Sequence, residues 1–423
     1  MRFLLIISMV MITSCYFFPF TFTFFPIANT KLMIAAVGIF FFAYHLIKME
    51  GIILSKELGI ASVIAIIFSL IGYFSVDYNH TSDYAYSTYI MSMWIWFAAS
   101  YFVVTLIGTL HGYLSIRLVV NYLIAVCIMQ CVLALMINFI PVFKAFVDAY
   151  FITGDVQFLD KVKRLYGIGA LLDVSGVRFS AVLMMIAVLL CHNDKIRENM
   201  LSMVIYAISF IIISIIGNMI SRSTSVGMAI SVGYYLLFGT DAFKSNMRVQ
   251  NLKLMQIILV SAALLITITG YFYSTNEDVF KLLRYGFEGF FKWIETGKWE
   301  TDSTERLKTM WVYPDNIKTW IIGDGYFEDP LDPKYYYMGT DVGYLRFIFY
   351  CGLLGLSAFS LFFVYLSHAL WLKFSHVKHL FGLLLILTFV NWLKVSTDIF
   401  LIYAIFLSVG SPYLYRKFYI ESD

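Results

Sequence analysis

The sequence predicts an all-helical protein that crosses a membrane many times. Of its 423 residues, 61% are hydrophobic and 13% are charged, about half the charged share of an ordinary soluble domain. The mean hydropathy is +0.80, and the 18% of aromatic residues suit rings at lipid–water interfaces. Because 30 Lys and Arg nearly balance 27 Asp and Glu, the net charge of +3 argues against a nucleic-acid surface.

Twelve apolar segments approach the length of about 20 residues that a membrane-spanning helix needs. They lie near 3–20, 32–47, 58–76, 89–110, 118–143, 178–191, 201–220, 224–238, 254–273, 341–367, 380–396 and 398–415. The first segment lacks a small-x-small cleavage site, so we interpret it as an uncleaved membrane helix. The chain thus divides into nine helices with a medium loop at 144–177, a large loop at 274–340, and three helices with a short tail at 341–423.

The distribution of basic residues predicts how the helices are oriented. Short loops on the cytoplasmic side of a membrane are enriched in Lys and Arg. Alternate loops of this chain carry such residues, namely Lys48, Lys56, Arg117, Lys195, Arg197, Lys244, Arg248, Lys253, Lys373, Lys378, Arg416 and Lys417. Both termini are therefore predicted to be cytoplasmic, and the loops at 144–177 and 274–340 are predicted to lie outside.

The large loop is expected to contain two helices. Apolar residues recur at helical spacing over 278–294, which predicts one amphipathic helix on the membrane surface or over the bundle. Asp302 is expected to cap a second helix, with Glu305 in its third position, which runs to about Tyr313 before Pro314 stops it. The loop also holds 15 aromatic and 12 acidic residues. This mixture suits sugar binding, although rings that only anchor the loop at the interface are an equal alternative.

Three arginines at predicted outer ends of helices are the strongest candidates for ligand binding. Arg178 begins the sixth helix, Arg222 lies in the turn between the seventh and eighth, and Arg306 lies in the large loop. Guanidinium groups bind phosphate oxygens bidentately and keep their charge, which suits a pyrophosphate. Each arginine taken singly has the alternative role of snorkelling to the interface. Nucleotide, zinc and serine-hydrolase motifs are missing from the sequence, so no cofactor and no metal are predicted.

Asp341, at the start of the tenth helix, is the candidate general base. A carboxylate in this place can take a proton from an acceptor hydroxyl, and its alternative role is to cap the helix. Arg346 lies five residues further on and is either its ion-pair partner or an interfacial anchor, the role that we favour.

Four short motifs follow one another in the second half of the chain. They are Ser221-Arg222-Ser223-Thr224, then Arg306 with Trp311, then Ile322-Gly323-Asp324-Gly325-Tyr326-Phe327, and finally Thr340-Asp341-Val342-Gly343-Tyr344-Leu345 followed by Gly352-Leu353-Leu354-Gly355. Their order, together with about twelve helices and a late large loop, resembles the O-antigen polymerase and O-antigen ligase superfamily of bacterial envelope proteins. Residues 1–170 match only in hydropathy. Ligases usually read His-Asn-x-Tyr-Leu where this chain has Asp341, which favours a polymerase.

The resemblance implies a GT-C-like, metal-independent glycosyltransferase embedded in the bacterial inner membrane. Such an enzyme joins oligosaccharide units carried on undecaprenyl pyrophosphate into O-antigen or a similar polysaccharide on the periplasmic face. The lipid pyrophosphate leaves, so no cofactor is needed. A chain-length regulator is a candidate partner besides the bilayer. The implied roles are pyrophosphate binding by Arg178, Arg222 and Arg306, catalysis by Arg306 and Asp341, and support of loops and turns by Gly323, Gly325 and Tyr344.

Three other roles stay open, namely a ligase, a flippase or transporter, and a purely structural membrane scaffold, against which specific binding of lipid-linked oligosaccharide would count. A ligase uses the same donor but transfers the polymer to a lipid A-core acceptor, and it would more often carry His at position 341. A lipid-linked oligosaccharide flippase or transporter also has about twelve helices. It would more often contain broken helices, internal repeats and charges at mid-membrane depth.

Overall fold

The computed structural model of the chain is a bundle of helices, and it describes residues 2–48, 54–152, 164–239 and 249–420. The helices of these residues are α1 Arg2–Phe17, α2 Thr30–Lys48, α3 Lys56–Tyr78, α4 Tyr89–His111, α5 Ile116–Phe139, α6 Pro141–Tyr150, α7 Leu172–His192, α8 Asp194–Arg197, α9 Met200–Ile220, α10 Thr224–Phe238, α11 Val249–Thr275, α12 Glu277–Gly286, α13 Glu288–Thr296, α14 Asp302–Thr309, α15 Ile317–Ile321, α16 Gly343–Lys373, α17 Lys378–Asn391, α18 Phe400–Val409 and α19 Pro412–Lys417.

Strands are few and short. Strands β1 (Thr21–Phe22), β2 (Phe25–Asn29) and β4 (Phe151–Ile152) form one antiparallel sheet, and β3 (Tyr113–Leu114) pairs in parallel with β5 (Tyr419–Ile420).

The helices confirm the predicted class of an all-helical membrane protein. Eight helices of the described residues are long and apolar enough to cross a membrane, namely α2, α3, α4, α5, α7, α9, α11 and α16. The other four predicted segments contain the shorter helices α1, α10, α17 and α18, so the count of twelve spans stays a prediction. Lys244 and Arg248, and residues 153–163 of the medium loop, lie outside the described residues.

Helix α7 forms the centre of the bundle. All its residues from Ser175 to Cys191 are buried, and α5, α9, α10 and α17 pack around it. Small residues allow its close approach to α10, because a Cβ on Gly227 would lie 2.2 Å from the Ser180 Cα. The Ser180 hydroxyl donates to the Ser223 carbonyl at 3.0 Å and accepts from the Gly227 amide at 3.1 Å. The turn between α9 and α10 is therefore fixed against α7.

Helix α16 is kinked at Cys351 and Gly352, where φ and ψ leave the helical region. A kink leaves backbone carbonyls without helical partners. The large loop satisfies two of them, since the Asp324 amide donates to the Phe349 carbonyl at 2.6 Å and the Gly325 amide donates to the Tyr350 carbonyl at 3.1 Å. The turn that contains Gly325 thus supports the kinked helix.

Two predictions for the large loop were wrong in detail. The single amphipathic helix over 278–294 is two helices, α12 and α13, because the backbone leaves helical geometry at Phe287 (φ −117°, ψ 28°). The α12 end packs closely on α9, where a Cβ on Gly286 would lie 3.1 Å from the Asn218 carbonyl carbon. The next helix is capped by Thr301 rather than Asp302, since Thr301 and Thr304 form a reciprocal capping box, and it ends at Thr309.

The predicted helix over 380–396 is also shorter than expected. Helix α17 ends at Asn391, and residues 392–399 are not helical before α18 begins at Phe400. The Asp398 carboxylate accepts from the Phe400 amide at 2.7 Å and so helps to start α18.

We predict that Gly352→Ala destabilises the protein. Gly352 has φ +65°, and an added Cβ would lie 2.1 Å from the Ile321 carbonyl oxygen. The strain of a non-glycine residue in such a conformation costs about 1–3 kcal/mol, to which the steric overlap adds. Gly233→Ala is the matched control, because Gly233 lies in α10 and a Cβ added there would meet no atom within 4 Å. The melting temperature in detergent should fall clearly for Gly352→Ala and stay level or rise for the control. Equal melting temperatures would contradict the proposed role of the kink.

Candidate functional site

One cavity brings together three of the seven residues that the sequence predicts for the site. Its volume is about 730 Å³, and it lies where the start of α7, the α9–α10 turn, helices α12 to α14 and the 392–399 segment meet. Its lining residues are Arg164, Asp173, Arg222, Tyr285, Glu288, Asp302, Ser303, Arg306, Leu307, Met310, Asp341 and Lys394. The predicted residues Arg222, Arg306 and Asp341 therefore share one cavity, although they come from distant parts of the chain.

The Asp173 carboxylate organises the wall formed by the α9–α10 turn. Its Oδ1 atom accepts from the Ser223 hydroxyl at 2.7 Å and from the Ser221 hydroxyl at 3.2 Å. The same oxygen lies 3.1 Å from the Lys394 ammonium. These contacts hold both serines that flank Arg222, so the guanidinium of Arg222 is presented by a fixed turn.

Arg222 is placed between an acid and an aromatic ring. Its guanidinium forms an ion pair with Glu288 at the start of α13, and it lies 4.5 Å from the centre of the Tyr285 ring. The Arg164 guanidinium lies 5.5 Å from the same ring, and its Nε donates to the Ile220 carbonyl at 3.1 Å. Burial raises the pKa of Tyr285, and the two arginines oppose that rise. Tyr285 therefore brings two guanidinium groups to one side of the cavity.

Glu288 connects the Arg222 turn to helix α14. Its second carboxylate oxygen accepts from the Asp302 amide at 3.0 Å and lies 2.8 Å from the Lys292 ammonium. Lys292 also pairs with the Asp302 carboxylate at 2.8 Å, and this hydrogen bond is the main cause of the lowered pKa of Asp302. The network fixes the first turn of the helix that carries Arg306.

Arg306 is an exposed side chain on the cavity wall. Its guanidinium has no hydrogen-bond or ion-pair partner among residues 2–48, 54–152, 164–239 and 249–420. By contrast, Asp173, Glu288 and Asp302 each pair with a lysine or an arginine. The cavity thus contains a cation that is free to bind an anionic ligand.

Asp341 is half-buried on the wall of the cavity. It is positioned by its neighbour Thr340, whose hydroxyl donates to the Met310 carbonyl at 2.6 Å and so joins the start of α16 to the end of α14. Its carboxylate has no hydrogen-bond or ion-pair partner in the part of the chain that the structure describes.

The surroundings of Asp341 favour its protonated form. Burial is the main cause of its raised pKa, and the negative charge of Asp173 adds to the rise, while Arg346, Lys394 and Arg306 oppose it. A raised pKa makes the carboxylate a better proton acceptor at neutral pH than a free aspartate.

Arg346 does not form an ion pair with Asp341. It is buried, and its guanidinium lies between the rings of Phe327 and Tyr336, 3.6 Å and 3.5 Å from their centres. One nitrogen donates to the Ser396 hydroxyl at 2.8 Å. Arg346 therefore ties the large loop to the non-helical segment at 392–399, in place of the expected anchor at the interface.

Arg178 does not line the cavity, in contrast to the placement expected from the sequence. Helix α7 begins at Leu172, six residues before Arg178, so the arginine lies about 9 Å along the helix from its start. Its side chain is buried, with the guanidinium 5.6 Å from the Phe18 ring and 6.0 Å from the Trp96 ring. Arg178 is thus a core residue, and it does not meet Arg222 and Arg306.

The three predicted support residues also lie outside the lining. A Cβ on Gly323 would lie 2.5 Å from the Tyr350 carbonyl oxygen, and Gly325 has φ +72°, so both positions in this turn need glycine. The Tyr344 hydroxyl donates to the Phe389 carbonyl at 3.0 Å, and its amide donates to the Trp392 carbonyl at 3.1 Å. Tyr344 thereby fixes the start of the segment that carries Lys394 into the cavity.

Four residues of the site, Arg164, Asp173, Glu288 and Lys394, were not predicted from the sequence. Arg164 and Lys394 have ordinary surroundings in the sequence, one inside a predicted loop and the other inside a predicted helix. Asp173 lies five residues before Arg178, and its closeness to the apolar segment is the one signal that could have pointed to it.

Comparisons with protein-family models, with curated proteins and with solved structures find no match to this chain.

We predict that Asp173→Asn lowers the stability of the protein, because it leaves Lys394 without a carboxylate and weakens the contacts of Ser223. The pair is partly exposed, with side-chain exposures of 34% for Lys394 and 26% for Asp173. The expected loss of unfolding free energy is therefore about 1–2 kcal/mol, between the values for exposed and buried pairs.

Glu305→Gln is the control, since its pair with Lys308 is largely exposed. The melting temperature in detergent should fall for Asp173→Asn and stay unchanged for Glu305→Gln. The double variant Asp173→Asn with Lys394→Gln should lose less than the sum of the two single losses. If the loss of unfolding free energy in the double variant equalled the sum of the two single losses, Asp173 and Lys394 would not stabilise each other.

Proposed function

We propose that this protein is a membrane-embedded glycosyltransferase that polymerises undecaprenyl-pyrophosphate-linked oligosaccharide units into O-antigen or a similar surface polysaccharide. We further propose that it acts on the periplasmic face of the bacterial inner membrane, with both termini cytoplasmic. The observation that carries the proposal is the meeting of Arg222, Arg306 and Asp341 in one cavity of about 730 Å³. These residues belong to three of the motifs that resemble the polymerase and ligase superfamily.

The donor pyrophosphate would be bound by the arginines of the cavity. Arg164 and Arg306 form no ion pair with a carboxylate of the described residues, and Arg222 would exchange its pairing with Glu288 for a phosphate oxygen. Guanidinium groups placed where negative charge develops stabilise a departing pyrophosphate. Arg306 contributes both to binding and to catalysis in this scheme, while Arg178 has no part in it.

Asp341 would act as the general base. The carboxylate takes a proton from the hydroxyl of the acceptor sugar, the hydroxyl oxygen bonds to the anomeric carbon of the donor, and the bond from that carbon to the pyrophosphate breaks. The lipid pyrophosphate leaves with the bonding electron pair, and Asp341 later returns its proton to solvent. Atoms and charge balance without a metal or a nucleotide.

A transporter of lipid-linked oligosaccharide is the second candidate, and one feature of the fold favours it. The buried Arg178, together with Lys31 and Asp398, forms a set of charges close enough to interact inside the helical bundle. The break between α17 and α18 adds a non-helical segment of the kind found in transporters. A transferase better explains the cavity, in which Asp341 and Arg306 have no partner among the described residues.

A gel of surface glycolipid from a deletion strain would test the proposal. A polymerase predicts loss of the polymer ladder, with core plus one repeat unit retained. Bare core with polymer on the lipid carrier would instead identify a ligase. Bare core with unpolymerised units trapped on the cytoplasmic side would identify a transporter, and an unchanged ladder would contradict all three functions for that polymer.

We predict that Arg222→Ala and Arg306→Ala each abolish long chains when the protein level is unchanged, because each removes a cation from the proposed pyrophosphate site. Arg222→Lys should be strongly impaired as well, since lysine keeps the charge but loses the bidentate fork. Arg284→Ala is the matched control. Arg284 lies on the same loop helix as Tyr285 and pairs with Glu295 outside the cavity. Normal chains from Arg222→Ala would contradict its role.

We predict that Asp341→Asn lowers kcat by about 10²- to 10⁴-fold, the usual contribution of a general base, with a smaller effect on KM. The wild-type rate should fall as the pH drops through the pKa of Asp341. Because that pKa is raised above the ordinary 3.8, the loss should begin at a higher pH than for a free aspartate. The pH–rate profile of Asp341→Asn should lack this fall of the rate at acidic pH. Full activity of this variant would exclude Asp341 as the base.

A further inference from the structure

A second cavity lies at the opposite end of the bundle from the candidate site. The 392–399 segment carries Lys394 into the candidate site, and helix α18 begins directly after this segment. Helix α19 follows the other end of α18, so it lies away from the candidate site. The second cavity has a volume of about 520 Å³ and lies between the last turns of α2 and helix α19. Its lining residues are Phe40, Phe41, Tyr44, His45, Lys48, Tyr413 and Lys417.

The inner wall of this cavity is formed by His45, which is held by contacts with two tyrosines. The His45 side chain is 4% exposed, and its ring stacks on Tyr413 with centres 3.8 Å apart and planes 15° apart. The Nδ1 atom of His45 lies 2.8 Å from the Tyr101 hydroxyl, within hydrogen-bond distance. These contacts join α2 to α19 and to α4, so the cavity is a fixed feature of the fold.

Two exposed lysines flank the opening. The Lys48 ammonium lies 6.0 Å from the centre of the Tyr44 ring, and the Lys417 ammonium lies 5.8 Å from the Tyr413 ring. Within the described ranges, neither lysine has a carboxylate at ion-pair distance. Two cations on the same cavity favour an anion with one or two negative charges.

The outer side of the cavity is apolar and faces outward. Phe40 is 76% exposed, Tyr44 is 59% exposed and Ile47 is 80% exposed. Phe40, Tyr44 and Lys48 follow one another at intervals of four residues on one face of α2, and each interval is about 6 Å along the helix. The order from ring to phenol to ammonium matches the passage from acyl chains to head groups in a bilayer.

We propose that this cavity is a binding site for an anionic phospholipid. The phosphate lies between Lys48 and Lys417, the head group fills the space in front of His45, and an acyl chain runs along Phe40 and Tyr44. The order of apolar and basic groups on α2 favours a lipid over free phosphate, because free phosphate has no apolar part to contact Phe40. Lipid binding here does not depend on the enzymatic function proposed above.

Native mass spectrometry of the purified full chain tests this site. The protein is mixed with phosphatidylglycerol or with phosphatidylcholine in detergent, and the retained lipid is counted. Wild type should retain phosphatidylglycerol over phosphatidylcholine. The double variant Lys48→Gln with Lys417→Gln should bind phosphatidylglycerol about tenfold or more weakly, since it removes both charges that attract the anionic head group. Lys48→Arg with Lys417→Arg keeps both charges and should retain the lipid.

Lys378→Gln is the matched control, because Lys378 also lies at a helix end beside an aromatic ring, 5.7 Å from Trp371, but does not line the cavity. It should bind like wild type. Equal retention of the two lipids by wild type, or full retention by the double glutamine variant, would overturn the proposal. Displacement of the lipid by an equal concentration of inorganic phosphate would also overturn it, since the site would then recognise the anion alone. If the double variant does not fold, the two single glutamine variants provide the same comparison.

Discussion

The candidate site depends first on the carboxylate of Asp173. One oxygen of this side chain accepts from both serines beside Arg222 and pairs with Lys394. It thereby connects three separate elements, namely the start of α7, the α9–α10 turn and the 392–399 segment. An unpaired carboxylate in this place would be costly, and so would an unpaired lysine. Their pairing stabilises a break between two apolar helices at the edge of the bundle.

The large loop completes the cavity through charges of both signs. Glu288 pairs with Arg222 and accepts from the first turn of α14, so the loop and the helical bundle hold each other in place. The same contact occupies a guanidinium that the proposed donor would need. Because phosphate carries more charge than a carboxylate, exchange at Arg222 would release Glu288 and loosen the loop. Binding of the donor would therefore be coupled to movement of the loop.

Much of the fold could be predicted from hydropathy, because a lipid-facing helix must be apolar over its whole length. Interruptions were harder to predict. The segment at 392–399 lies between two apolar runs, and hydropathy indicates a boundary near residue 397. It does not indicate that the helix already ends at Asn391, since residue type alone does not fix the backbone geometry. The kink at Gly352 was hidden in the same way, since a single glycine in an apolar helix has many roles.

The site could be predicted in part. Arg222 and Asp341 were found because they belong to short motifs with local glycine, serine and threonine residues. Arg178 was placed wrongly because no residue pattern indicates that α7 begins at Leu172, which moves the arginine into the core. Glu288 and Arg164 could not be found from the sequence, since their meeting with Arg222 depends on how the loop folds back over the bundle.

The most direct test of the central claim is reconstitution of the purified protein in liposomes with its lipid-linked repeat unit, followed by measurement of released undecaprenyl pyrophosphate and of chain length together. We expect one lipid pyrophosphate to be released for each unit added to the growing chain, without added metal or nucleotide. Chain growth without release of lipid pyrophosphate, or movement of the lipid-linked unit across the bilayer with no new glycosidic bond, would contradict the proposed reaction.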